Sequence, residues 1–332
     1  MPCDVGGGVA LQPARTLRDL KPVLKGALTW IPGVQRAFYD RTAAGGTAEA
    51  RYCYGVWIKH LSLLWQAGMR TIPAAVAELG PGKSLGTGLA ALLSGAERYS
   101  ALDLVRHASV ATTAPLVEPM AELFRQRAPC PSRGFPDYNG VLDARLFPSQ
   151  ILTDAHLARS LAAPRLAEIA DAVRRLDSKE QHARLRYGTW SNGDVASAAE
   201  ADLVFSHVVL SVVEDQEAFY ERCALWLKPG GWMSHHIDFT SVGITNEWNG
   251  HLQYTDAVWR IIVGQRPFFA NRERLSRHLA LMDKYGFEVI SFQRMSGEGG
   301  IERSRLAPRW RDMSEDDFTC AHAFIVARKP GN

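Results

Sequence analysis

An open, doubly wound α/β sheet is the fold this sequence predicts, and three observations predict it. Short apolar runs alternate with stretches of helical periodicity, a glycine-rich turn follows the first of those runs, and Lys228-Pro-Gly-Gly231 punctuates a later passage from helix to strand. The chain is long enough to build such a fold, since 332 residues with 46% hydrophobic and 22% charged side chains supply a sizeable core. Lys and Arg outnumber Asp and Glu by only 38 to 35, without a run of like charge, so no nucleic-acid partner is implied. No stretch approaches the ~20 uninterrupted apolar residues of a membrane span, and Met1 to Ala10 lacks the basic and apolar regions of a secretory signal. Five scattered cysteines without a CxxC pair argue against a disulfide framework or a zinc knuckle. A cytoplasmic protein without membrane insertion is the expectation.

Residues 1–71 read as a lead followed by a helical cap. The lead is polar and rich in Gly and Pro; the cap is a helix from Thr47 to Gly68 with Tyr52, Val56, Ile58, Leu61, Leu64 and Trp65 at helical spacing. The main domain spans 72–332. Its first strand lies in Ile72 to Leu79, the glycine-rich turn follows, and Leu89 to Gly95 is helical. Tyr99 to Asp103 is the second strand, which completes a βαβ unit. Leu185 to Trp190 and Ala201 to Leu210 read as strands three and four, and Glu214 to Leu227 as a helix. Trp232 to Phe239 is strand five, Arg272 to Tyr285 another helix, and Phe287 to Gln293 and His322 to Arg328 the last two strands. Between strands two and three, about residues 105–184 exceed what one crossover helix needs. They hold a Pro-rich piece (Ala128 to Pro136) and an amphipathic helix near Ala163–Leu176, and read as a helical insertion or lid.

The turn Leu79-Gly-Pro-Gly-Lys-Ser-Leu-Gly-Thr-Gly88 permits close backbone approach and leaves free N–H groups at a helix start. Ala77 to Ser84 ends like a phosphate-binding P-loop, but that loop would have to begin inside the strand. A nicotinamide fingerprint needs a different glycine spacing, and Glu78 immediately before the turn would repel a pyrophosphate. An acid there suits an ammonium. With a second acid at Asp103, the pattern suits a cofactor carrying an amino-acid tail and a ribose, S-adenosylmethionine.

In these motifs the sequence resembles the class I S-adenosylmethionine-dependent methyltransferase family. Val76-Ala-Glu-Leu-Gly-Pro-Gly82 is similar to its first motif, Ala101-Leu-Asp103 to its ribose-binding acid and Asn192-Gly-Asp-Val195 to its adenine-side loop. Ala201 to His207 with Val212-Val-Glu-Asp215 is similar to its fourth-strand region, and Leu227 to Trp232 completes the series. The resemblance implies a Rossmann-like, seven-stranded, mostly parallel sheet with an antiparallel last strand. It also implies the cofactor S-adenosyl-L-methionine and the product S-adenosyl-L-homocysteine. By the same carry-over Glu78 faces the methionine ammonium, Gly80 and Gly82 admit the cofactor to the backbone, Asp103 accepts the ribose hydroxyls and Asp194 takes the adenine amino group. Pro81, Ser84, Gly86, Leu104, Val195 and Ser206 stand beside them in the expected cofactor site.

Methyl transfer to a hydroxyl needs a positioned acceptor and a base for its proton. His207 ends strand four; His236 and Asp238 share one face of strand five, with His235 on the other. His207, His236 and Asp238 are therefore the expected catalytic residues, with no metal site expected. Trp248, His251 and Tyr254, in a segment mixing aromatic and polar groups, suit a hydroxyl-rich ligand. Tyr52, Trp57 and His60 on the cap helix, and His235, could close the same pocket. The insertion and Trp248-Asn-Gly-His251 resemble bacterial methyltransferases linked to saccharides or related polyhydroxylated acceptors. The expected function is O-methylation of a small-molecule or saccharide acceptor. The competing readings are a non-catalytic S-adenosylmethionine-binding scaffold and a P-loop nucleotide hydrolase.

Overall fold

The structure is a computed structural model and describes residues 17–34, 46–130, 135–138, 140–189, 199–266 and 269–331. Seven strands form one sheet: β1 (Ala75–Leu79), β2 (Arg98–Asp103), β3 (Leu185–Thr189), β4 (Ala201–His207), β5 (Leu227–Asp238), β6 (Glu288–Ser296) and β7 (Cys320–Arg328). Their order is β3-β2-β1-β4-β5-β7-β6. The pairs among β1 to β5 are parallel, and β7 runs antiparallel to both of its neighbours. This is the mostly parallel, doubly wound sheet that the alternation of patterns predicts, with the antiparallel strand inserted between β5 and β6.

Helices of eight residues or more are numbered here: α1 (Leu17–Leu28), α2 (Ala50–Gln66), α3 (Gly86–Leu93), α4 (Val117–Arg125), α5 (Ala163–Arg174), α6 (Gln216–Trp226), α7 (Asp256–Val263) and α8 (Leu275–Lys284). Period-two alternation along the strands divides the core into two layers. Val76, Tyr99, Ala101, Tyr187, Leu203, Phe205 and Phe324 face α2, α3, α4 and α5. Ala77, Leu79, Val204, Met233, Ile237 and Ile325 face α6 and α8. Among the described residues no helix is long and apolar enough to cross a membrane, and Cys53, Cys130, Cys223 and Cys320 are free thiols.

Two strand ends differ from the sequence expectation. Strand four stops at His207 rather than Leu210, because Val208 takes a left-handed conformation (φ +61°) and its N–H turns to the carbonyl of His236. A β-branched residue there is strained by about 1–3 kcal/mol. Strand five starts at Leu227 rather than Trp232. Leu227 already pairs with Ala201, and Gly230 (φ +76°) absorbs the register shift before Leu203 pairs with Trp232.

The long segment between β2 and β3 is not laid over the sheet as a separate flap. Ile169, Val173 and Leu176 are fully buried in the same core as β1 to β4, and Leu161 packs at its border. From α5, Arg165 donates to the carbonyls of Leu92 and Ala96 at 3.0 and 2.6 Å, satisfying the end of α3. The cap helix likewise shares this core through Tyr54, Trp57, Ile58, Leu61 and Leu64. We expect Ile169→Ala to lower stability by about 2–5 kcal/mol, the range for truncating a buried aliphatic side chain. Denaturant unfolding checks it, and a loss below about 1 kcal/mol would mean that α5 is only loosely docked.

Candidate functional site

In a parallel sheet the carboxyl ends of the strands point the same way, so Glu78, Asp103, His207 and His236 are brought to one edge. Glu78, the fourth residue of β1, faces α3. It is 3% exposed, and its carboxyl accepts the hydroxyl proton of Tyr99. Burial pushes its pKa up to about 8; Asp103 adds to the rise, while the bonds from Tyr99 and Thr87 oppose it. Asp103 closes β2 and is half-buried. Its Oδ1 accepts the N–H of Leu104 at 2.8 Å, and it is also bonded by the backbone of Val105 and Gly82. Burial lifts it to about 6, against the pull of His107 and these amides. Among the described residues neither carboxyl is ion-paired.

Between the two acids runs the glycine turn, in which Gly80 (φ +69°) and Gly82 (φ +79°) occupy the left-handed region. At Gly80 a Cβ would also strike Val209, 2.5 Å away, and at Gly82 it would meet Thr47 Oγ1 at 2.8 Å. Thr47 therefore braces the turn from outside: its Oγ1 accepts the N–H of Lys83 at 2.9 Å, and its carbonyl accepts the hydroxyl of Ser84. Ser84, 0% exposed and further engaged by the N–H of Gly86, holds the loop from behind. Gly86 is a packing residue whose Cβ would lie 2.5 Å from Cys53 Sγ. Pro81 is buried, whereas Leu104, beside Asp103, is 44% exposed. Asp194 and Val195 lie outside the described residues.

The histidines form a hydrogen-bonded line on the α2 side of the sheet. Because β4 and β5 are paired in register, His207 lies opposite His236, and His207 Nε2 is 3.2 Å from His236 Nδ1. His60 reaches down from α2, with its Nε2 3.1 Å from His207 Nδ1 and its Nδ1 2.7 Å from the hydroxyl of Ser234. The His236 ring stacks on Phe324 at 4.4 Å, with Phe135 at 6.1 Å, and its buried Nε2 has no hydrogen-bond partner among the described residues. Tyr52, 37% exposed, meets the His207 ring edge-on at 6.4 Å. Burial and the neighbouring imidazoles hold His60, His207 and His236 well below the usual histidine range, so all three are neutral at neutral pH.

Several sequence-derived assignments change here. Asp238 shares the face of His236 but does not bond it. The antiparallel register sets Asp238 opposite His322, Nδ1 to Oδ1 at 3.7 Å, and its Oδ1 accepts the N–H of Thr240. Ser206 and His235 point to the opposite face, bonded to each other at 2.9 Å and packed beside Phe219 and Tyr220. Trp57 is core, its indole donating to Ser94 at 2.7 Å. Trp248, His251 and Tyr254 belong to a separate packing region built with the chain around Gly297 to Ile301 and with α7. No described contact joins them to His207 or His236. His60, Ser234, Thr47 and Tyr99 were the residues for which sequence patterning predicted no site role or only a bordering one. Core-like spacing hides them, and they enter the site only through packing between distant elements.

The strand order with its antiparallel β7 is the Rossmann-like methyltransferase topology. No protein-family model and no curated protein matches the sequence. Among solved structures, the chain is similar to the protein bound to the Trm112 methyltransferase activator of Haloferax volcanii (14% identity, 85% of this chain and 95% of that one, TM-score 0.38). It is similar to phosphoethanolamine N-methyltransferase 2 of Haemonchus contortus in complex with S-adenosyl-L-methionine (15% identity, 89% of this chain, TM-score 0.42), spanning 60% of that longer protein. A third likeness is to an S-adenosylmethionine-dependent methyltransferase of Mesorhizobium loti (13% identity, 80% of this chain and 95% of that one, TM-score 0.38).

The acids give the site a signed pH dependence. The folded Glu78 carboxyl keeps its proton up to about pH 8, whereas in the unfolded chain it is lost near 4.5. Its contribution to stability is complete below 4.5 and disappears as pH rises to about 8; Asp103 acts with the same sign between 3.8 and about 6. Glu78→Gln keeps an acceptor for Tyr99 and removes that slope. The fall in denaturation midpoint from roughly pH 5 to roughly pH 9 should therefore shrink in the variant. An unchanged fall would assign the pH dependence to other groups.

Proposed function

We propose that the carboxyl ends of β1 and β2 bind S-adenosylmethionine and that the protein transfers its methyl group to a small-molecule acceptor seated over β4 and β5. One observation carries this reading. Two raised, unneutralised carboxyls, Glu78 and Asp103, flank a turn whose Gly80 and Gly82 hold the positive φ that permits close backbone approach. A ligand with an ammonium at one end and a diol next to it fits that set, since the ammonium favours the ionised form of Glu78 and the diol gives Asp103 two donors. The cofactor supplies an electrophilic methyl group. The chain supplies the rest: Asp103 and Glu78 fix its two polar ends, exposed Leu104 offers an apolar surface to the base, and Tyr52, His207 and His236 border the acceptor.

A hydroxyl acceptor, saccharide or other, with His207 or His236 taking its proton, is the finer form of this proposal. Geometry supports the neighbourhood of the two imidazoles, whereas the depressed basicity of both makes them weak bases. The aromatic residues expected to hold a sugar lend no support, because they pack elsewhere. Calorimetry with S-adenosylhomocysteine is the test. Saturable binding is expected, with Asp103→Ala weakening it by about 1–3 kcal/mol through the lost charged hydrogen bonds. Absence of binding to the intact protein would overturn the proposal, and unchanged affinity in the variant would remove Asp103 from it.

A further inference from the structure

Helix α1 is seated on α7 by its small side chains. Pro22, Gly26 and Thr29 are buried, a Cβ at Gly26 would run into the carbonyls of Ile261 and Ile262, and the N–H of Gln265 donates to Thr29 Oγ1 at 2.8 Å. Val23 joins the packing of Trp259 and Ile262. A contact face of small residues lets two helices approach closely, and it leaves the leucines of α1 pointing away from the body they pack on.

Leu20, Leu24 and Leu28 recur every four residues and form one stripe, which Trp30 and Ile31 continue past the helix end. With Ile261 of α7 they are between 40% and 64% exposed, and these six make up half of the large hydrophobic side chains exposed among the described residues. Single exposed apolar residues are ordinary, whereas a concentration of this kind marks an interaction surface. Lys21 and Lys25 follow Leu20 and Leu24 around the helix, and Arg260 precedes Ile261. All three cations are exposed and without an ion pair among the described residues. The acid that opens α7, Asp256, is already held by Arg272 and Arg309.

We propose that this stripe docks α1 flat on an anionic lipid surface, its leucines and Trp30 entering the headgroup boundary while Lys21, Lys25 and Arg260 meet the lipid phosphates and carboxylates. The charge selects the occupant. Two copies of the chain joined through this face would bring the cations of each against those of the other, whereas anionic headgroups neutralise them. The shape agrees, because the stripe is open along the helix and runs off its end into a turn, which a fluid interface accepts without a preformed groove. An indole suits the depth of the headgroups. With 12 residues α1 is too short to span a bilayer and lies in the plane of its surface. None of these residues belongs to the site at Glu78, Asp103 and His207, so this surface and the cofactor reading stand or fall separately.

Co-sedimentation of the full chain with vesicles tests the proposal. Binding is expected to vesicles of phosphatidylcholine mixed with phosphatidylserine, and not to phosphatidylcholine alone. Lys21→Gln with Lys25→Gln should weaken it about thirtyfold, at roughly fivefold for each cation near an anionic surface. Added salt should weaken it in the same direction by screening. Leu24→Ser with Leu28→Ser should weaken it by about tenfold or more through lost apolar transfer. All four side chains are exposed, so both variants are expected to keep the denaturation midpoint of the intact chain, and should the leucine variant be destabilised the lysine variant decides. No binding, equal binding to neutral vesicles, or binding indifferent to these substitutions would overturn the proposal. So would a dimer in solution that the leucine variant dissolves, since a second copy would then cover the stripe.

Discussion

The in-register pairing of β4 with β5 is the constraint on which the histidine site depends. It puts His207 beside His236 and Ser206 beside His235, and the alternation of a strand then sends the first pair to one face and the second to the other. A shift of one residue would exchange them, burying the hydrogen-bonded line among Phe219 and Tyr220 and turning Ser206 toward the cap helix. The antiparallel β7 adds a second fixed register. It supplies Phe324 as the stacking platform for His236 and draws Asp238 to His322.

Burial without neutralisation is the other theme of this edge. Glu78, Asp103 and three imidazoles are all shifted toward their neutral forms, and desolvation is the leading cause in each. Shifts in that direction mean that the unliganded edge carries little charge for its number of titratable groups. A cationic or hydrogen-bonding ligand would recover part of the cost of keeping them there. The left-handed Val208, immediately after His207, is a further local cost at the same place. Its turn also delivers Val209 onto Gly80, which ties the β4 end to the glycine turn.

That turn carries two demands. Gly80 and Gly82 need their positive φ, which suits close approach of a ligand. Yet the space beside each glycine of the segment is filled from within: Val209 at Gly80, Thr47 at Gly82, Cys53 at Gly86 and Tyr99 at Gly88. Glycine here answers to the fit of α2 and β2 around the start of α3 as much as to anything bound, and the sequence pattern cannot separate the two uses.

The sequence by itself determined the alternation that builds the sheet, the seven strands, the placement of Glu78 and Asp103 at the ends of adjacent strands, and the shared face of His236 and Asp238. Each is a local property of periodicity or of position relative to a turn. It could not separate core from site among the aromatic and imidazole side chains, because Trp57, His60 and Tyr52 lie on one helix at similar spacing and only its docking angle decides which of them is buried against what. Nor could it pair Asp238 with His322 rather than His236, or link Ser234 to His60 across 174 positions. Those contacts follow from strand order and helix packing, and tertiary structure alone brings residues so distant in sequence together.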